Sequence, residues 1–278
     1  MSIRVRRIKE RFKKLQNGPM RGLVAVVATI QQSIKFLSPI LIYVDRDGDW
    51  HNCRLKIHLV SPELNVSSYK AIKAAVEDYW FFSYSPKAGD TIIDIGAGIG
   101  DDAVAFARAV GVNGRVIAIE AHPKTYRCLI KTIKANRLKN ITALNIAVSD
   151  SEGNIKISEE ENFLSNSTYS RTGKNSLVSA NTLESILSQT GSLRADLVKM
   201  NIEGGETNAL LGMKSVFNTT KNIVVSCHDF KADRGESLDY RTYADVNMIL
   251  ENAEFVIANR NDDLRKEVQY YLYGTKTI

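Results

Sequence analysis

The chain has 278 residues, 44% hydrophobic and 24% charged, with 5 prolines, 17 glycines and 3 cysteines, which excludes a collagen-like, disordered or disulfide-knotted polypeptide. The length leaves room for one large α/β domain with an appendage, or for two small domains. The net charge of +6 is uneven: residues 1–21 carry eight basic residues against the single Glu10, a net +7, which leaves the other 257 residues at −1 and argues against a nucleic-acid-binding body.

In chain order, Ile8, Phe12 and Leu15 recur at helical spacing within the basic segment. A helix of this kind suits peripheral contact of residues 1–21 with an anionic membrane surface, and equally packing on the chain's own body. The apolar run from Gly22 to Val44 is interrupted by Gln31, Gln32, Ser33, Lys35 and Pro39, too often for a bilayer-spanning helix. Two β-rich segments, Ile40–Val44 and the alternating stretch through Leu55, Ile57 and Leu59, flank the turn Asp45-Arg46-Asp47-Gly48-Asp49 and predict a hairpin. Three aspartates are too few for a calcium loop, so a solvated turn is expected and no metal site. Residues 1–85 thus read as a helical and hairpin cap. Cys53, Cys128 and Cys227 lie far apart without a CxxC pair, which points to a reducing, cytoplasmic setting.

From residue 86 to 278 strands and helices alternate. The predicted strands are 91–95, 115–120, 141–148, 197–202, 222–227, 255–258 and 268–273, with 154–158 as an extra extended piece. The predicted helices are 101–110, 124–136, 181–189 with Asn181 as its N-cap, 206–213 and 238–252. Such alternation predicts an α/β fold with a mostly parallel, doubly wound sheet of seven strands, the last antiparallel because two strands end the chain without a helix between them. Residues 162–179 are rich in Ser, Asn and Thr and read as a long loop.

Three signals carry chemistry. The first is Ile92-Ile93-Asp94-Ile95-Gly96-Ala97-Gly98-Ile99-Gly100-Asp101, a strand entering a glycine turn and then a helix. A dinucleotide turn would place glycine where Asp101 stands, and Asp101 and Asp102 would repel a pyrophosphate. Asp94 could hold an ammonium through ordered water or backbone, so a zwitterionic ligand fits better than a polyanion. The second is Glu120, at the end of the next strand, whose carboxylate can accept both hydroxyls of an unphosphorylated ribose. The third is Lys199-Met200-Asn201-Ile202-Glu203-Gly204-Gly205-Glu206 at the end of a buried strand. Lys199 needs a partner there. Glu203, Glu206 and His228 are the candidate proton acceptors. The aromatic run Tyr79 to Phe82 could wall an acceptor pocket or pack the cap onto the sheet.

Together the stretches PKAGDTIIDIGAGIGDDAVAFA (86–107), RVIAIEAHP (115–123), Asn140, Ala147 and Ser149, and LVKMNIEGGE (197–206) followed by Leu211-Gly212 resemble the FkbM-type family of S-adenosylmethionine-dependent methyltransferases. The similarity covers residues 75–230. It implies the Rossmann-like class I methyltransferase sheet, S-adenosylmethionine as cofactor held around Asp94, Gly96, Gly98 and Glu120 with Ala147 near the adenine, and a small-molecule or glycan hydroxyl as acceptor. Its alternatives are an RNA or protein methyltransferase using the basic segment, or an inactive adenosine-ligand binder. The family pattern usually has aspartate at the position of Asn201, which keeps hydrogen-bonding capacity here but has lost the charge.

Overall fold

Residues 15–158, 175–191 and 194–277 are described by a computed structural model. The predicted loop 162–179 therefore falls mostly outside the described residues, as do Ile8 and Phe12 of the basic segment.

A helix, α1 (Arg21–Phe36), lies across the edge of an antiparallel meander of β1 (Leu41–Val44), β2 (Trp50–Arg54) and β3 (Ile57–Ser61). Where one continuous strand was expected after the turn, Leu55 and Lys56 reverse the chain and make two. α2 (Tyr69–Tyr79) follows, its first turn capped by Ser68, whose side chain accepts from the Ala71 amide.

The body then runs β4 (Thr91–Ile95), α3 (Asp101–Val110), β5 (Arg115–Ile119), α4 (Pro123–Ala135), β6 (Ile141–Leu144), β7 (Ala147–Val148), β8 (Gly153–Ser158), β9 (Asn175–Asn181), α5 (Leu183–Thr190), β10 (Leu197–Met200), α6 (Glu206–Leu211), β11 (Asn222–Ser226), α7 (Asp229–Asp233), α8 (Tyr243–Asn252), β12 (Val256–Asn259) and β13 (Tyr271–Thr275). The seven-stranded sheet has the order β12-β13-β11-β10-β4-β5-β6, and β13 pairs antiparallel with both neighbours.

Side chains alternate across this sheet with period two. Ile93, Ile95, Ile117 and Ile119 join α5, α6 and α8 on one face, while Ile92, Val116 and Ala118 join α2, α3 and Leu129 of α4 on the other. Both layers are continuous and apolar, as a two-sided parallel sheet requires.

Several expected boundaries move for local reasons. The strand predicted over 141–148 breaks at Asn145, whose side-chain amide donates to the carbonyls of Glu120 and Ala121, so Ala147 and Val148 leave the main sheet and pair with β9 in a second sheet, β7-β9-β8. Thr182, not Asn181, caps α5, accepting from the Ser185 amide, and Asn181 ends β9. The helix expected over 238–252 begins only at Tyr243, after a 3-10 turn at Leu238–Tyr240. Another 3-10 turn, Val268–Tyr270, delays β13 to Tyr271.

The acidic turn is not simply solvated, as expected. Asp45, Asp47 and Asp49 close on the Lys131 ammonium of α4 at 2.6, 2.7 and 2.6 Å, and Arg127 grips Asp49 with two bonds of 2.9 and 2.6 Å. Burial pushes the carboxyls of Asp45 and Asp49 up, but these cations outweigh it and hold both below the ordinary aspartate range. The meander is further fixed to α4 where the Val60 amide donates to Thr132 and Asn136 exchanges bonds with the His58 backbone.

Candidate functional site

The chain runs outward from β4 through β5 to β6 and then crosses back to β10, on the other side of β4. Ligands of open α/β sheets bind outside the carboxyl ends of the strands at such a reversal. A cleft lies there, lined by Ile95, Gly96 and Gly98 after β4, by Ile119, Glu120 and His122 after β5, and by Asn201, Ile202, Glu203 and Gly205 after β10. Ala121 and Thr125 also line it, and its far wall is apolar: Ile146, Ala147 and Val148, with Ile155 and Ile157 from β8.

The glycine turn is shaped by close approach. Gly96 has φ +76°, and a Cβ there would lie 2.1 Å from the carbonyl oxygen of Asn201, so no side chain fits between β4 and β10. Gly98 has φ +56°, and a Cβ there would meet no protein atom within 4 Å, because this glycine borders the cleft.

Beneath the turn lies the partner that Lys199 requires. Lys199 of β10 stands directly opposite Asp94 of β4, and its ammonium donates to Asp94 Oδ1 and to the Gly96 carbonyl, each at 2.8 Å. It also lies 5.0 Å from the ring of Trp80. Burial would lower the Lys199 pKa, but Asp94 and the nearby Asp102 and Asp101 outweigh it and raise it. Asp94 is thus fully buried and does not itself line the cleft, and one of its carboxylate oxygens serves Lys199. The two acids at the start of α3 feel the same burial, which raises both carboxyls, Asp102 to about 7.

Glu120 is placed differently. Its two carboxylate oxygens accept from the Gly98 and His122 amides, each at 2.8 Å, and it borders the cleft. Burial pushes its pKa up to about 7, against the pull of those two amides. Each oxygen keeps a lone pair for a further donor.

At the far end, Glu203 and Gly204 both have positive φ, +41° and +97°, forming a tight turn unusual for a glutamate. That turn aims Glu203 into the cleft, where Lys231 pairs with one oxygen and His228 Nε2 lies 3.4 Å from the other. Burial pushes the Glu203 carboxyl up, but His228 and Lys231 outweigh it and leave it below the ordinary glutamate range. Glu206 is fully buried behind this pair, accepting from the Gly204 amide, from Thr242 and, at 2.7 Å, from His228 Nδ1. Burial alone would lower the His228 pKa, yet hydrogen bonds to the two glutamates lift it to about 9.

Of the residues expected at the site, Gly96, Gly98, Glu120, Ala147, Asn201 and Glu203 line one cleft, whereas Asp94, Glu206 and His228 stand behind it. The aromatic run packs elsewhere, Tyr79 stacking on Tyr271, Phe81 near Phe106 and Phe82 near Tyr273. Sequence reasoning missed Lys231, a lysine on a five-residue helix, and the cleft-lining pair Ile155 and Ile157. The second was signalled by the apolar alternation of the short stretch after Gly153.

Comparison with known proteins adds a sequence match to the methyltransferase FkbM domain over residues 94–257. Comparison with curated proteins gives no match. Among solved structures, methyltransferase FkbM from Methylobacillus flagellatus KT superposes with a TM-score of 0.49 at 16% identity, over 75% of this chain and 51% of that one, so the chain spans about half of that protein's length. Fibrillarin from Aeropyrum pernix, with natively bound S-adenosyl-L-methionine, gives 0.46 at 12% identity over 85% of this chain and 94% of that one. A SAM-dependent O-methyltransferase from Thermotoga maritima gives 0.44 at 14% identity over 85% and 77%.

Proposed function

The chain belongs to the FkbM methyltransferase family, and from that premise we propose that it transfers the methyl group of S-adenosylmethionine to a hydroxyl of a saccharide, lipid-linked or secondary-metabolite acceptor. The observation that carries the cofactor reading is Glu120: a carboxylate fixed by two backbone amides at the mouth of a cleft, with spare lone pairs on both oxygens, between an apolar slot and a polar end.

The residues present fit this cofactor. Glu120 would accept the two ribose hydroxyls, and Ala147, Val148, Ile155 and Ile157 would enclose the adenine. The backbone of Gly96 and Gly98 and the side chain of Asn201 would take the amino-acid part. Asn201 brings donors as well as an acceptor where the family pattern has only an acceptor. S-adenosylmethionine supplies a sulfonium methyl, an electrophile that needs alignment and little further activation.

The protein's part in the transfer is to hold the acceptor oxygen and take its proton. Glu203 is the carboxylate at the cleft, and its depressed pKa keeps it ionised at neutral pH. It would take the acceptor hydroxyl's proton on a carboxylate oxygen. His228, cationic below about pH 9, cannot accept a proton at pH 7, and Glu206 has no path to the cleft. Both act as positioning residues that hold Glu203 in its strained turn. Glu203→Gln should lower kcat by about a hundredfold with cofactor affinity retained. An unchanged kcat would remove Glu203 from the chemistry.

Two measurements test the reading as a whole. Calorimetric titration with S-adenosylmethionine should show binding that Glu120→Ala weakens, and the absence of heat from the folded protein would overturn the cofactor assignment. Radiolabelled methyl transfer into a cell extract, separated into lipid, carbohydrate, small-molecule, nucleic-acid and protein fractions, should place label in one of the first three. Label in RNA or protein would redirect the acceptor class, and label in none would leave a cofactor binder without activity.

A further inference from the structure

Helix α1 is inside out. Toward β1 it presents Ala25, Ala28, Thr29, Gln32 and Ser33, the small and polar residues of its sequence. The hydroxyls of Thr29 and Ser33 bond to the backbone of Ile42 and Ile40, satisfying the strand edge. The large aliphatic residues point away: Leu23, Val26, Val27, Ile30, Ile34 and, just beyond the helix end, Leu37 are each more than half exposed, Ile34 at 69% and Leu37 at 93%. At 3.6 residues per turn the five within the helix fall within an arc of about 100°, the width of an apolar stripe that normally faces a core. No charged residue interrupts the arc; Arg21 and Lys35 stand outside it and are exposed.

We propose that this face is a docking surface for an anionic lipid bilayer, on which α1 lies in the plane of the interface. Three observations fix the occupant. No helix among the described residues is long and apolar enough to cross a membrane, so an aliphatic face of this length can enter the headgroup boundary without spanning. The face is charge-complementary to an anionic leaflet: seven basic residues, Arg4 through Lys14, precede the helix in the chain, and Arg21 and Lys35 flank the stripe. A second copy of the chain fits poorly, because both copies carry the same net +7 over residues 1–21 and offer no opposite charge to it there. In addition, a 16-residue helix about 24 Å long offers one face of a few hundred Å², below the roughly 800 Å² per partner of a stable dimer. The surface expected to meet lipid thereby moves from residues 1–21 to the stripe of 23–37, with the basic segment supplying attraction and the aliphatic face insertion. This inference is independent of the methyl-transfer reading.

The test is co-sedimentation of the full chain with vesicles of phosphatidylcholine alone and of equal parts phosphatidylcholine and phosphatidylglycerol, with molar mass measured by light scattering without vesicles. The expected result is pelleting with the anionic vesicles only, weakened by salt. The double variant Val27→Asp with Ile30→Asp, both exposed, should reduce it at least about tenfold while S-adenosylmethionine heat, or the circular dichroism of the fold, stays unchanged. No pelleting with anionic vesicles overturns the proposal. So does pelleting that survives the double variant, which would assign binding to the basic segment alone. A dimer that the double variant converts to monomer, without vesicle binding in either form, overturns it in favour of a second copy.

Discussion

At the hairpin turn, Asp45, Asp47 and Asp49 surround the ammonium of Lys131 and Asp49 also binds Arg127, whereas at the end of β5 Glu120 bonds to no cation among the described residues and is held by two neutral amides. Both are acids tied to other parts of the chain, yet the pKa values of Asp45 and Asp49 move down and that of Glu120 moves up to about 7. The hairpin acids spend their charge within the fold, fastening the meander to α4. Glu120 keeps unsatisfied acceptor capacity at the edge of a cleft, where only a ligand can complete it. Asp94 and Lys199 show the first arrangement again inside the sheet, directly under the second.

The contrast can be broken from either side. The largest effect is expected from Lys199→Met, which leaves Asp94 charged and unpaired beneath the glycine turn and should cost about 3–5 kcal/mol in denaturant unfolding. A loss below about 1 kcal/mol would mean that the pair contributes little to holding β4 against β10. Next, Glu120→Ala should weaken S-adenosylmethionine about a hundredfold, while the loss of its two bonds to the Gly98 and His122 amides should lower Tm by less than Lys199→Met does. A comparable loss of stability would return Glu120 to the structural class. Lys131→Met should cost about 2 kcal/mol, because three carboxylates are left facing one another at a partly exposed site. With the Asp45 and Asp49 pKa values depressed, the stability from this cluster is present above the unfolded value near 4 and is lost as the pH falls below it, so Lys131→Met should flatten the acid limb of the stability profile.

The smallest effect sharpens the same difference. Glu120 is protonated below about pH 7 in the free protein, and a protonated carboxyl cannot accept both ribose hydroxyls. Cofactor affinity should therefore rise about tenfold from pH 6 to pH 8, with uptake of ligand releasing protons to the buffer. An affinity independent of pH would show that Glu120 already stands ionised before the ligand arrives.

What could be read from the sequence followed this division. The glycine turn, Glu120 and the alternation of strands and helices with an antiparallel last strand were legible, because each rests on residues close together or on a repeated alternation. The partner of Lys199 was legible as a need but not as Asp94, which lies 105 residues earlier and meets it only through the pairing of β4 with β10. The hairpin acids looked solvated because Lys131 is 86 residues from Asp45. Glu206 and His228 looked equivalent to Glu203 as bases, since spacing does not show that one of three neighbouring polar groups faces the cleft and two are sealed behind it. The orientation of α1 was illegible for another reason: apolar periodicity marks a face as special without saying whether a core or an outside surface meets it.

The Asp94–Lys199 contact also has a meaning in time. β4 and β5 are near neighbours in the chain and can pair early, but the other edge of β4 stays unpaired until β10 arrives after a long excursion through the second sheet. Closing so long a loop is slow compared with forming local contacts. During synthesis the glycine turn therefore exists before its ammonium does, and a chain halted ahead of Lys199 would carry Asp94 with its counter-charge still unmade.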